Sequence, residues 1–514
     1  MIAIALVLLS AGLYTVCFPP FEQAALLWIA LIPAVAALDR APTPARAAIL
    51  GAVWGAATTA GVVAWLVPTF ADYFARPWSQ VIGLYALVCA GALAPYFAAA
   101  FALLAFARPR LPRVVWLFLI PAAWVAAEFA RTALGLRSGW ARLGDACWQM
   151  PDARSLASLT GVWGVSALVA LVNTALYEAG RSAVARMSGR AIACRPLAAL
   201  ATAALAAAAL ASWQARSLTG APRASDAPLD VLVVQAAVAP ELRWKRAHAT
   251  KVLRAHADLT RAALRERSEL PALVVWPENA IQTAPDDPTY GPTLRGFADA
   301  IGVPLLLGAP RGTATEAGRV AHNSAHLLTP GGGSAHYDKI RLLPFSETAL
   351  IATPAQPGDL ELQSYAAGRT PGLLDVAGER LGVVICFEAI YPALTRALAQ
   401  GGATVLVNLS NDGWYRGRGG ARQHLQQAVL RAVETGLPLV RATTTGVTAV
   451  IAPDGQVVAE LAAGEPGTLR VHLPARRAAP TLYTRTGDAL AWACIGACLV
   501  AGVTAARREP VDAW

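Results

Sequence analysis

Three strand ends in the second half of this chain carry residue types suited to nucleophilic catalysis. Gly382-Val383-Val384-Ile385-Cys386-Phe387-Glu388 reads as a buried β-branched strand that ends on a thiol, and Pro392 is placed to open a helix after it. A cysteine on such a turn is held on rigid backbone and points out of the sheet edge, as a nucleophile needs. A small apolar core residue is the commoner fate of a strand cysteine, so its neighbours must decide. Leu273-Val274-Val275-Trp276-Pro277-Glu278 delivers a carboxylate at a second strand tip. Burial there would raise its pKa and make it a base usable near neutral pH; a solvated loop glutamate is the alternative. Tyr337-Asp338-Lys339 supplies an ammonium that either pairs with an oxyanion or is an ordinary surface lysine. Among 43 Lys and Arg residues only Lys245, Lys251 and Lys339 are lysine, which hints at a compact charge that guanidinium cannot replace.

The cysteine pattern narrows the chemistry. Cys386 is the one thiol of the long polar section, which excludes a structural disulfide there. Cys17, Cys89, Cys147, Cys194, Cys494 and Cys498 lie in or beside apolar segments, and none of the seven shows metal-ligand spacing. Neither a metal nor a cofactor is expected. The chain is 56% hydrophobic and 15% charged, too apolar for an ordinary soluble protein. Its net charge of +10 comes from basic residues set largely between apolar runs, without aromatic interleaving, so nucleic acid is not expected as a partner.

The elements that must position these residues fall into two kinds. Apolar segments at about 1–17, 24–38, 49–68, 81–106, 114–133, 157–178 and 194–212, and a last one at 487–506, predict about eight membrane spans. The stretch 1–17 lacks a basic start and a small-residue cleavage site, which marks it as a retained span. Arginines after spans two, four, six and eight share one side, the cytoplasmic one; those after span five are the exception. The polar section between spans seven and eight is then expected outside the cytoplasm, which in a bacterium means the periplasm. Glu128 lies inside span five, either as a functional group at membrane depth or as a partner of Arg131 one turn away. From Asp230 onward, short β-rich runs alternate with amphipathic helices, predicting an α/β domain large enough for its own core. The expected organisation is a membrane domain over 1–213, a catalytic domain over 228–474 and a C-terminal transmembrane helix over 487–506.

In this order and context, Glu278, Lys339 and Cys386 resemble the carbon–nitrogen hydrolase (nitrilase) superfamily, over about 228–474, together with Asn408-Leu409-Ser410-Asn411-Asp412-Gly413-Trp414. The seven preceding spans and the one following narrow the resemblance to the bacterial apolipoprotein N-acyltransferase family. Phe18-Pro19-Pro20-Phe21, Gln235, Trp244, Asn323-Ser324, Gln423-His424-Leu425-Gln426 and Arg441-Ala442-Thr443 support it. The resemblance implies an α-β-β-α sandwich and a polytopic enzyme of the bacterial inner membrane. Glu278 would deprotonate Cys386, whose thiolate would take an acyl chain from a glycerophospholipid as a thioester. The α-amine of a diacylglyceryl-cysteine on an apolipoprotein would then accept the chain.

Lys339 and a backbone N–H would hold the oxyanion. Glu347 would support the lysine and second-step proton handling, and Glu388 would orient the site; a structural ion pair is the alternative for either. Trp244, Asn323, Phe345, Trp414 and Tyr415 are the expected substrate-binding and lid residues, against ordinary loop packing. A monomer is expected. Phe387 where the family often has tyrosine, Ala236-Ala237 after Gln235, and Thr444 where asparagine is frequent depart from the pattern and bear on substrate preference. A membrane-tethered amidase with water as acceptor is the second reading, and a silent partner-binding membrane protein the third.

Overall fold

The computed structural model describes residues 1–510 apart from 135–136, 190–194, 221–222, 225–228, 240–241, 243–245, 267–268, 284, 286, 289, 316–317, 344–346, 348–364, 416–418 and 478. Two compact units emerge: Met1–Gly220 with Arg416–Gln426 and Thr486–Trp514, and Ala221–Tyr415 with Gln427–Arg485.

The first unit is helical. Its main helices are α1 (Ile2–Val16), α2 (Ile32–Asp39), α3 (Pro44–Val62), α4 (Trp78–Ala92), α5 (Ala94–Ala107), α6 (Arg113–Ala133), α7 (Val162–Met187) and α8 (Arg195–Gly220), joined by the C-terminal helix Ala489–Ala506. Among the described residues five helices are long and apolar enough to cross a membrane, or six if the pair Pro44–Val62 and Leu66–Tyr73, bent by 66°, is one span. The expected count of eight included the segments 1–17 and 24–38, which are apolar but short. The 15 residues of α1 rise only about 22 Å against a hydrocarbon core of ~30 Å. The second segment is split into a 3-10 turn, Ala24–Trp28, and the eight-residue α2. Apolar composition does not report helix continuity, and that is where the count diverges.

Small residues and buried charges set the packing of this bundle. A Cβ on Gly51 would stand 2.2 Å from Phe97 O, and one on Gly55 would stand 2.7 Å from Ala94 N, so this glycine pair lets α3 and α5 meet backbone to backbone. Glu128 Oε1 accepts from Leu143 N–H at 2.7 Å, and its Oε2 accepts from Ser166 Oγ at 2.7 Å. Arg131 Nη1 donates to Trp140 O at 2.7 Å. Both side chains therefore grip the loop between α6 and α7 and satisfy its buried backbone, which an apolar side chain would leave unpaired.

Among the described residues the second unit holds twelve principal strands: β1 (Asp230–Gln235), β2 (Leu273–Val275), β3 (Leu305–Thr315), β4 (Gly318–Thr329), β5 (Gly333–Asp338), β6 (Gly372–Val376), β7 (Glu379–Ile385), β8 (Val405–Ser410), β9 (Leu439–Thr443), β10 (Thr448–Ile451), β11 (Val457–Leu461) and β12 (Gly467–His472). They form two six-stranded sheets, ordered β12-β1-β2-β3-β4-β5 and β11-β10-β9-β8-β7-β6. In each sheet three central strands run parallel, β1-β2-β3 in one and β7-β8-β9 in the other. These strands are the continuous β-branched runs of the sequence, and β2 and β8 are buried at every residue, as strands covered on both faces must be. Leu232, Val234, Val274, Trp276 and Leu305 pack under the helices Ala249–Arg265 and Gly291–Ile301 on the outer side of the first sheet. Helix Pro392–Gln400 crosses between β7 and β8, with proline in its first turn where the missing N–H costs nothing. Gln235 couples the sheets: its Oε1 accepts from Thr443 Oγ1 at 2.9 Å and Thr448 Oγ1 at 2.6 Å. The observed layering is α-β-β-α, as the resemblance implied.

Candidate active site

The carboxyl ends of parallel strands are where an α/β architecture presents chemistry, because successive turns open there at one sheet edge. Glu278 follows β2, Cys386 follows β7, and Asn411 and Asp412 follow β8; Lys339 follows β5. Two of the turns are strained. Cys386 itself has φ 50°, and Asn279, next to Glu278, has φ 48°. Residues other than glycine persist in this left-handed region only when the surroundings dictate it, and such positions cluster at functional sites. Gly308 of β3 makes room for the first turn: a Cβ there would lie 2.5 Å from Glu278 Cα.

Glu278, Lys339, Glu347 and Asn323 form one buried cluster. Lys339 Nζ donates to Glu347 Oε1 at 2.9 Å and to Glu278 Oε1 at 3.3 Å. Asn323 Nδ2 donates to the same two oxygens, at 2.7 Å to Glu278 and 2.6 Å to Glu347. The second oxygen of each carboxylate takes a backbone donor: Asn411 N–H to Glu278 Oε2 at 2.6 Å, and Leu343 N–H to Glu347 Oε2 at 2.7 Å. Glu278 Oε1 thus has both lone pairs engaged, whereas Oε2 keeps one able to take a proton. Burial alone would push the Lys339 pKa down, but the Glu278 and Glu347 carboxylates outweigh it and hold the pKa well above the ordinary lysine value. The ammonium is therefore permanent at neutral pH.

The Cys386 thiol is pushed up from its ordinary pKa, first by burial and then by the Glu278 carboxylate, while Lys339 pulls it down. At rest it is protonated, and its proton has to be removed as it reacts. Glu388 ties the cysteine turn to the lysine turn. Its Oε1 accepts from Ile340 N–H at 2.8 Å and Arg341 N–H at 2.9 Å, and its Oε2 accepts from Ile385 N–H at 2.7 Å. The Tyr337 hydroxyl lies 2.9 Å from each oxygen. Burial pushes the Glu388 pKa up, and the Arg341 and Ile385 N–H donors pull it back. Its backbone partners are all donors, so the carboxylate links the two turns through charge-assisted hydrogen bonds when ionised.

Asn323, expected among the substrate-binding and lid residues, lies inside the carboxylate cluster. Trp414 and Tyr415 stack at 4.1 Å, and Tyr415 N–H donates to Asp412 O at 3.1 Å. Trp244 and Phe345 lie outside the described residues. Phe387 is buried and meets Tyr391 edge to face at 5.7 Å. Thr444, the departure from asparagine, donates its Oγ1 to Asn411 Oδ1 at 3.0 Å and so steadies the residue whose N–H holds Glu278.

Several positions went unassigned in the sequence. Arg441 Nη2 donates to Asp412 Oδ2 at 2.6 Å, and its Nη1 donates to Asn408 Oδ1. Asn408 Nδ2 reaches Cys386 O at 3.4 Å, and Ser410 Oγ donates to Asp412 Oδ1 at 2.7 Å. The motifs containing these residues were visible, but their pairing depends on the parallel register that sets Arg441 beside Asn408.

The two paired six-stranded sheets belong to a domain of the carbon–nitrogen hydrolase class: the carbon–nitrogen hydrolase family model matches residues 232–483. The apolipoprotein N-acyltransferase N-terminal domain matches residues 10–175. An apolipoprotein N-acyltransferase of Geobacter metallireducens is 30% identical over 98% of this chain and 95% of its own length. One of Bordetella bronchiseptica is 31% identical over 95% of this chain and 93% of its own. The chain belongs to the apolipoprotein N-acyltransferase family: it is a membrane acyltransferase with lipid and lipoprotein substrates. Among solved structures, an amidase from Nesterenkonia sp. covers 49% of this chain and 92% of its own, at 22% identity and TM-score 0.36.

Proposed function

We propose that Cys386 is the acyl carrier, Glu278 its base and Lys339 the cation that holds the oxyanion, in a two-step transfer from a glycerophospholipid to the α-amine of a diacylglyceryl-cysteine on an apolipoprotein. The observation that carries this reading is the shared cluster in which Glu278 Oε1 is saturated by Asn323 and Lys339 while Oε2 is held by Asn411 N–H. It leaves one defined atom, Oε2, for the thiol proton. As the sulfur attacks the donor ester, the proton passes to Glu278 Oε2 and then to the departing alkoxide, releasing a lysophospholipid. Lys339 meets the charge that develops on the carbonyl oxygen, in a buried site where it acts at low dielectric. The amine then attacks the thioester and the thiol is regenerated. Glu347 holds Lys339, Glu388 holds both turns, and Trp414 with Tyr415 forms part of the substrate cover.

The reading includes a bacterial inner membrane location, a periplasmic catalytic domain and a monomeric enzyme. Support for the orientation is the arginine bias of alternate loops. The test is incubation of the enzyme with a phospholipid carrying a labelled acyl chain and a diacylglyceryl-cysteine peptide. Label is expected as an amide on the peptide, with stoichiometric lysophospholipid. Labelled free fatty acid with no peptide product, together with hydrolysis of small amides, would establish the amidase instead.

A further inference from the structure

The acyl donor is an anion, because a glycerophospholipid carries a phosphodiester on the same glycerol whose ester the sulfur attacks. It has to approach a site rich in carboxylates. Glu278 Oε1 and Glu347 Oε1 share the Lys339 ammonium at 3.3 and 2.9 Å, so the cluster holds no surplus cation for a second anion. Glu388 adds another buried carboxyl behind the cysteine and lysine turns. Such a donor requires a cation beside the cysteine turn and outside that cluster.

We propose that Arg341, backed by the Tyr391 ring, seats the donor's phosphodiester and is a substrate-binding residue of the loading step. This rests on the glycerophospholipid reading above. Arg341 is exposed, and its Cζ stands 5.8 Å from the centroid of the Tyr391 ring. Among the described residues its guanidinium makes no hydrogen bond or ion pair, so its donors are open to a ligand. An aromatic face attracts the cation and leaves the N–H edge free, where parallel donors match two phosphate oxygens.

The place of this arginine relative to the nucleophile is fixed twice. Its backbone N–H donates to Glu388 Oε1 at 2.9 Å, and Oε2 of the same carboxylate accepts from Ile385 N–H at 2.7 Å, one residue before Cys386. The Tyr391 ring behind the guanidinium meets Phe387 edge to face at 5.7 Å, and Phe387 directly follows Cys386. A carboxylate on one side and two rings on the other thus join the arginine to the cysteine turn. The same lysine turn places Lys339 for the carbonyl oxygen and Arg341, two residues on, for the phosphate of one donor molecule.

The test is loading of Cys386 in the full-length enzyme, in one detergent, from labelled phosphatidylglycerol, phosphatidylethanolamine or diacylglycerol. The last has the same ester and no phosphate. The N–H that Glu388 holds is backbone, so Arg341→Gln leaves the fastening of the turns in place. Loss of a charged contact is expected to lower the ratio of phospholipid to diacylglycerol loading about 10–100-fold, through a raised KM for phospholipid and not a lowered kcat. The fall is expected with both phospholipids, which share the phosphodiester, and Arg341→Lys is expected to recover part of it. An unchanged ratio, a loss in kcat alone, a fall confined to one phospholipid, or no recovery with lysine overturns the proposal. If diacylglycerol does not load the wild-type enzyme, the phospholipid KM decides: a rise of at least about tenfold is expected, and its absence overturns the proposal. A wild-type enzyme that forms no thioester from either phospholipid would instead refute the underlying reading.

Discussion

Replacing Glu388 by glutamine probes how the nucleophile turn is fastened to the lysine turn. The carboxylate accepts three backbone N–H groups, two on Oε1 and one on Oε2. A glutamine amide has one acceptor, so its better orientation keeps the oxygen on Ile340 and Arg341 and turns the NH2 toward Ile385 N–H. One buried donor then loses its partner, which costs about 1–3 kcal/mol. The two remaining bonds lose their charge assistance, roughly half their strength. The sum is about 2–6 kcal/mol of stability, concentrated at the two turns. Because the thiol and the ammonium are positioned by those turns, loading of Cys386 is expected to fall on the order of 100-fold, as for an ångström-scale misplacement. Loading is followed with labelled phospholipid, and hydrogen exchange is read at the amides of Ile340, Arg341 and Ile385. Loading at the wild-type rate, with those three amides still protected, would refute the positioning argument.

Three further outcomes follow from the geometry. Gly308→Ala places a methyl 2.5 Å from Glu278 Cα and is expected to cut loading about 100-fold, measured by thioester formation; wild-type loading would contradict it. Gly51→Val and Gly55→Val push α3 off α5, where added Cβ atoms would meet backbone at 2.2 and 2.7 Å; each is expected to cost about 1–3 kcal/mol, seen as a lowered midpoint of thermal unfolding in detergent. The His326 ring is held down at about 4, by burial first and then by His336, from an ordinary 6.5. The unfolded chain therefore binds this proton at a higher pH than the folded one. Stability is intact above pH 6.5 and falls as pH drops toward 4, by up to about 3 kcal/mol. His326→Gln should flatten that acid slope, and an unchanged slope would exclude the histidine as its source.

The residues proposed to carry the chemistry stand out in the sequence because they end buried strands: a β-branched run closing on Glu278 or Cys386 is a local signal. What steadies them was not local. Asn323 reaches Glu278 across a separation of 45 positions and Glu388 reaches Tyr337 across 51, so neither contact has a spacing to read. Arg441 and Asp412 stood in visible motifs, yet only strand register makes them partners. In the membrane unit, composition located the apolar segments but could not see that the second one breaks into a 3-10 turn and a short helix. The Gly51–Gly55 spacing was present in the sequence as a close-packing signal and acquires meaning only from the helix it faces.

Intact-protein mass spectrometry of the enzyme after exposure to a phospholipid of known acyl chains addresses the acyl-carrier role of Cys386 directly. A mass increase of one acyl group is predicted, located on Cys386, removed by hydroxylamine, absent in Cys386→Ala and strongly diminished in Glu278→Gln. An enzyme that transfers acyl chains to the peptide amine while Cys386→Ala retains the adduct, or with no adduct at any time point, would contradict it.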